Sequence, residues 1–137
     1  MMIKTFVLLF ATLFSLYGAE LEWAQGYAEA MEKAKLQKKN VLLLITTPTC
    51  RWCKKLESTT LKDEEVVARL SRDYIVVHVT RDVDDYPAEL ETNGVPTTYF
   101  LDETGRAIIK RVTGYWNAED YLSFMDDVDY KLGRKTY

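Results

Sequence analysis

Val41-Leu42-Leu43-Leu44-Ile45-Thr46-Thr47-Pro48-Thr49-Cys50-Arg51-Trp52-Cys53-Lys54-Lys55-Leu56 is the stretch that decides the fold of this chain. Its first five residues have no polar face, as in a central strand covered on both sides. Pro48 and the threonines break the run, and Cys50 to about Ser58 reads as a helix. The only two cysteines of the 137-residue chain therefore stand with two residues between them where that helix begins, and neither has another cysteine to pair with.

A pair so placed can close into a disulfide and reopen. Unpaired N–H groups and the positive end of the helix dipole favour a thiolate at Cys50. Arg51, Lys54 and Lys55 add cationic charge, which lowers its pKa further. A thiolate at neutral pH attacks a substrate disulfide, and a second sulfur resolves the mixed disulfide. Cys50 is accordingly the expected nucleophile and Cys53 the expected resolving thiol. Three other uses of the pair stay open. A structural zinc site wants four ligands, whereas the chain offers this pair and the single His78. Cu(I) needs only two thiolates, so a Cu(I)-binding carrier is the alternative from another class. An inert staple would gain little, because so short a loop removes little chain entropy.

Toward the N-terminus, Met1-Met2-Ile3-Lys4 is positive, Phe6 to Leu16 is apolar apart from Thr12 and Ser15, and Tyr17-Gly18-Ala19 follows. This is the three-part form of a secretory signal peptide over residues 1–19, shorter than the roughly 20 apolar residues of a spanning helix. Bulky Tyr17 and Leu16 suit the cleavage site poorly, so an uncleaved membrane anchor is the second reading. Residues 20–137 then make one domain with one core, facing an exporting compartment where a lone Cys-x-x-Cys is actively kept in its working redox state. The formal net charge is −3; without Lys4, 17 basic residues face 21 acidic ones. Phosphate backbones would be repelled, and nucleic acid is not an expected partner.

The rest of the chain reads outward from the central strand. From Leu21 to about Gln37, apolar residues at Trp23, Tyr27, Ala30, Met31 and Ala34 have the spacing of one helix face. After a break at Thr59 to Lys62, Asp63 caps a further helix, with Glu64 and Glu65 in its first turn and Arg69 and Arg72 near its end. Tyr74 to Val79 reads as a second buried strand, Arg81 to Tyr86 as a loop, and Pro87 to Glu91 as a short helix. His78, near a strand end, reads as a structural residue. Val95-Pro96 precedes a strand at Thr97 to Leu101, and the turn Asp102-Glu103-Thr104-Gly105 leads to its antiparallel partner, Ala107 to Thr113. Asn117 caps the last helix, whose inner face is Ala118, Tyr121, Leu122, Met125 and Val128.

A Cys-x-x-Cys between a buried strand and a helix, a Val-Pro before a later strand, a terminal hairpin, then Gly114 and a closing helix together resemble the thioredoxin superfamily. The likeness covers essentially everything after the leader. Cys50-Arg51-Trp52-Cys53-Lys54-Lys55-Leu56-Glu57 is similar to the secreted thioredoxin-like proteins related to the C-terminal domain of the disulfide-interchange reductase DsbD. The resemblance implies an α/β thioredoxin fold whose four-stranded mixed sheet, two parallel strands plus a C-terminal antiparallel hairpin, is flanked by helices on both faces. It implies that Pro96 is a cis-proline set against the cysteines and that Val95 offers backbone groups to a substrate strand. Gly114 and Trp52 would border the same groove, with Tyr115 and Trp116 either at its rim or in the core.

One departure matters. The buried acid that thioredoxins carry six residues before the first cysteine is Leu44 here. Glu57, one helical turn beyond Cys53 and matching a glutamate of the DsbD-type motif, is the candidate for part of the proton handling. The implied activity is that of a periplasmic or secreted thiol-disulfide oxidoreductase. A reductant is expected, because Arg51-Trp52 lacks the histidine of strongly oxidising relatives. Expected substrates are the disulfides or thiols of exported proteins, with a membrane redox partner. No organic cofactor or metal is required beyond the redox-active Cys50–Cys53 disulfide, and a monomer is expected.

Overall fold

The computed structural model describes residues 19–90 and 92–135; the expected leader lies outside them up to residue 18. Along the chain run β1 (Trp23–Ala24), α1 (Tyr27–Gln37), β2 (Asn40–Thr46), α2 (Arg51–Ser58), a 3-10 turn (Thr60–Lys62), α3 (Glu64–Asp73), β3 (Tyr74–Thr80), β4 (Thr97–Leu101), β5 (Val112–Thr113) and α4 (Ala118–Lys131). The strand order is β1-β3-β2-β4-β5. β2 therefore lies in the middle, and every one of its residues is buried. It runs parallel to β3, with Leu44 beside His78, and antiparallel to β4, with Ile45 beside Thr97.

Alternate residues of β2 feed two cores, as the period of a strand requires. Leu42 and Leu44 pack with Leu56 of α2, Leu70 of α3, and Tyr121 and Met125 of α4. Val41, Leu43 and Ile45 pack with Ala30 and Ala34 of α1. Each fully buried leucine contributes on the order of 2 kcal/mol. The phenol of Tyr121 shares a 2.6 Å hydrogen bond with the Thr98 hydroxyl, so this core side chain leaves no polar atom unpaired. Both expected caps form. The Asp63 carboxylate accepts from the N–H groups of Glu65 and Val66, and the Asn117 side chain accepts from the Asp120 N–H. α3 is tied to α4 through Arg69, which reaches Asp126 at 2.6 Å and Asp129 at 2.9 Å and donates to the Leu122 carbonyl.

Three expectations need correction. The first helix begins at Tyr27 rather than Leu21, because Trp23–Ala24 forms β1 alongside Val76 and Val77. The outer edge of β3 offers unpaired backbone groups, and satisfying them outweighs a helical spacing of apolar residues. The described sheet accordingly has five strands rather than four.

Pro87 does not open a helix. Only the Leu90 N–H closes a turn, onto the Pro87 carbonyl, while the hydroxyls of Thr92 and Thr97 both donate to the Gly94 carbonyl. A single turn fixes several residues for one hydrogen bond, so it does not propagate here; Glu91 lies outside the described residues.

The hairpin is also shorter than Ala107 to Thr113. Leu101 pairs with Ala107 and Thr98 with Val112, so three steps along one side answer five along the other. The Ile108 N–H still donates to the Phe100 carbonyl, so the two extra residues leave the ladder as a bulge within 109–111.

Candidate active site

Four segments meet at the C-terminal end of β2. The chain leaves the sheet after Thr46, crosses Thr47 to Thr49, and enters α2 with Cys50 at the N-cap. Cys50 is half-buried, whereas Cys53, one turn inside the helix, is 2% exposed. The two sulfurs are joined in a disulfide. The Cys53 N–H also donates to the Cys50 sulfur at 3.1 Å, so the cap ligand of the helix is the sulfur itself. Arg51, Trp52, Lys54 and Lys55 are all exposed on the same turn, Trp52 by 47%.

Opposite the pair, the register Ile45 beside Thr97 sets Pro96 against the end of β2 where the cysteine loop departs. The Val95–Pro96 peptide is cis, Pro96 is buried and Val95 half-buried. Gly114 joins them, because its N–H donates to the Pro96 carbonyl at 2.8 Å. At φ +95°, Gly114 has a backbone that L side chains rarely adopt. The structure thus brings Cys50, Cys53, Pro96 and Gly114 to one end of the sheet.

The two aromatics after Gly114 divide. Tyr115 joins the rim, its ring 5.9 Å from that of Trp52, and the Lys55 ammonium lies over both. Hydrogen bonding to the hydroxyls of Thr59 and Thr60, with the Lys55 charge, holds the Tyr115 phenol below its ordinary pKa. Trp116 turns toward α4 instead, edge-on to Phe124, with its indole N–H donating to the Thr113 carbonyl.

Glu57 lies half-buried, with its carboxylate 3.4 Å from His78 Nδ1. His78 Nε2 shares a 2.6 Å hydrogen bond with the Thr46 hydroxyl. Sequence reasoning set His78 aside as a structural residue. The pairing of β2 with β3 places it beside Leu44, a neighbour that no local pattern reveals. Among the described residues, no group of three or more His, Cys, Asp or Glu side chains is arranged to hold a metal ion.

A mixed sheet carrying Cys-x-x-Cys at a strand-to-helix junction, with a cis X-Pro bond opening a neighbouring strand, defines the thioredoxin-fold class. The profile of the thioredoxin-like domain family matches residues 27–129, and the chain belongs to that family.

Among curated proteins, Anterior gradient protein 2-B of Xenopus laevis is 25% identical over 114 residues, which covers 83% of this chain and 68% of that protein. Human Spermatogenesis-associated protein 20 is 32% identical over 62 residues, 45% of this chain, and the match spans 8% of its own length. Among solved structures, a thioredoxin from Thermus thermophilus superposes with TM-score 0.71 at 23% identity, covering 84% of this chain and 92% of that one. The C-terminal domain of DsbD from Neisseria meningitidis, in the oxidised form, superposes with TM-score 0.57 at 20% identity, covering 72% and 89%.

Proposed function

We propose that the chain is a thiol-disulfide oxidoreductase that reduces disulfides of exported proteins. The observation that carries this reading is the asymmetry of the pair. Cys50 is accessible at the helix N-cap and Cys53 is buried one turn behind it, at the end of the sheet where the cis Val95–Pro96 bond opens β4. In the dithiol state, the helix N-terminus and the charges of Arg51 and Lys54 favour the Cys50 thiolate.

The exchange balances in two steps. The Cys50 thiolate attacks one sulfur of the substrate disulfide; that S–S bond breaks, a mixed disulfide forms, and one substrate thiolate leaves and takes up a proton. Cys53 then loses its proton and attacks the Cys50 sulfur, the mixed disulfide breaks, and the second substrate thiol is released. The substrate gains two electrons and two protons, and the Cys50–Cys53 disulfide remains. A dithiol partner, expected in the membrane, must reduce it again. Because Cys53 is buried, its proton needs an acceptor within the protein, and Glu57, one helical turn further along α2, is the residue this reading assigns to it. Val95 offers backbone groups to the substrate strand, and Trp52 and Gly114 border its groove. The reading needs neither an organic cofactor nor a metal, and a monomer suffices.

Location follows from the leader: the domain is periplasmic or secreted, or tethered if residues 1–19 stay attached. Among the described residues, no helix is long and apolar enough to cross a membrane. The deciding experiment equilibrates the Cys50/Cys53 couple with glutathione and reads Trp52 fluorescence. A potential near about −270 mV is expected for a reductant, and one near about −120 mV would make the protein an oxidant instead. Tight one-to-one Cu(I) binding without reduction of insulin would replace both with a carrier.

A further inference from the structure

The first turns of α2 carry an uncompensated positive charge. Arg51, Lys54 and Lys55 are exposed, and among the described residues none of them lies in an ion pair, whereas Lys33, Lys62, Arg69, Arg72, Arg81 and Arg134 each do. The one acid of the helix, Glu57, is turned to His78. On a chain of formal charge −3, this is a local reversal of sign, and it lies against the cysteine pair.

Two of these cations are held in place by aromatic rings. The Arg51 guanidinium lies 5.3 Å from the centre of the Trp52 ring. The Lys55 ammonium lies 5.1 Å from the same centre and 4.8 Å from that of Tyr115. Thr59 secures the arrangement, with its hydroxyl donating to the Lys55 carbonyl at 2.6 Å and standing 3.5 Å from the Tyr115 hydroxyl. A cation drawn to a ring face still presents its N–H groups outward. Because its side chain is already restrained, it loses less freedom when an anion arrives.

We propose that this shelf of Trp52, Tyr115, Arg51 and Lys55, with Lys54 beside it, selects substrates. It favours polypeptides that carry Asp or Glu next to the disulfide that Cys50 attacks. The inference rests on the oxidoreductase reading and names its substrate class. Charge complementarity within a Debye length of about 8 Å raises the encounter rate with acidic segments and disfavours basic ones. The exposed ring faces add apolar contact that does not depend on the substrate's sequence.

The test uses the dithiol form of the whole chain and three disulfides. Two are peptides of one sequence, flanked by Asp-Glu or by Lys-Lys; the third is uncharged hydroxyethyl disulfide. At about 0.01 M ionic strength, where the Debye length is about 30 Å, the acidic peptide should react on the order of tenfold faster than the basic one. At about 1 M, where it is about 3 Å, the ratio should fall toward one. Arg51→Glu with Lys55→Glu should erase or invert the ratio. Any change these substitutions make to the Cys50 thiolate acts on all three disulfides alike and cancels in it.

A ratio near one in the unaltered chain, with hydroxyethyl disulfide still reduced, overturns this inference and leaves the oxidoreductase reading standing. A ratio that ignores salt overturns it as well. Failure to reduce any of the three overturns the underlying reading, and this inference with it.

Discussion

The imidazole of His78 bridges two elements, with Nδ1 3.4 Å from the Glu57 carboxylate on α2 and Nε2 2.6 Å from the Thr46 hydroxyl at the end of β2. It stands beside Leu44, which is fully buried and carries no charge. An acid on α2, the helix that holds Cys53, thus meets a base on the neighbouring strand β3. Glu57→Gln should slow exchange several-fold and shift its pH profile. That is less than the about hundredfold of a fully engaged general base, because Glu57 is partly solvated. His78→Gln, which keeps a hydrogen-bonding side chain, should shift the profile in the same sense. An unchanged profile in Glu57→Gln removes the carboxylate from the mechanism.

The unequal burial of the two sulfurs predicts unequal variants. Cys53→Ser should accumulate a mixed disulfide between Cys50 and a substrate, visible on a non-reducing gel and cleared by dithiothreitol. Cys50→Ser should form none, since the remaining thiol is 2% exposed. Trapping through Cys53 alone would reverse the assigned roles.

Arg69 predicts a stability effect separate from the chemistry. Its contacts with Asp126 and Asp129 hold α3 against α4, and Asp129 is 7% exposed. Burial opposes the Arg69 charge, but hydrogen bonds and the charges of the two aspartates prevail, so its pKa lies above the ordinary value. Arg69→Met leaves Asp129 with only the 3.6 Å contact to Arg134. The expected cost is about 2 kcal/mol in urea denaturation, with the Cys50/Cys53 potential unmoved. A loss below about 0.5 kcal/mol, the range of an ordinary surface change, would show that the clamp is dispensable.

Asp102 gives a pH-dependent case. Partial burial raises its pKa, but hydrogen bonds from the Thr104 hydroxyl and from the Arg106 and Thr104 N–H groups outweigh this and leave it below 3.8. A depressed carboxylate stabilises the fold above the unfolded-state pKa, and the contribution disappears as pH falls through the folded-state value. Asp102→Asn should therefore cost about 0.5 to 1 kcal/mol at neutral pH, a figure limited by solvent screening. The difference from the unaltered protein should narrow below about pH 3.8. Denaturation curves at both pH values check the sign; a gap that widens in acid contradicts it.

What could be read along the chain depended on interactions that are themselves local. Val41 to Ile45 had to be a covered strand because it lacks a polar face, and Asp63 and Asn117 had to be caps because each accepts from N–H groups two or three residues ahead. The Cys-x-x-Cys chemistry was legible for the same reason, since cap, cysteines and cations all belong to one turn of α2. Tertiary structure alone decided the remainder. A two-residue strand such as Trp23–Ala24 has no periodicity of its own and exists because β3 presents an edge to pair with. Pro87 to Leu90 closes one turn and goes no further, because a single hydrogen bond does not offset the residues that the turn fixes. The meeting of His78 with Glu57, and of Tyr115 with Trp52, joins residues far apart in sequence. Only the β2/β3 register and the way α2 lies across the sheet bring them within reach, and neither is encoded in a neighbourhood short enough to read.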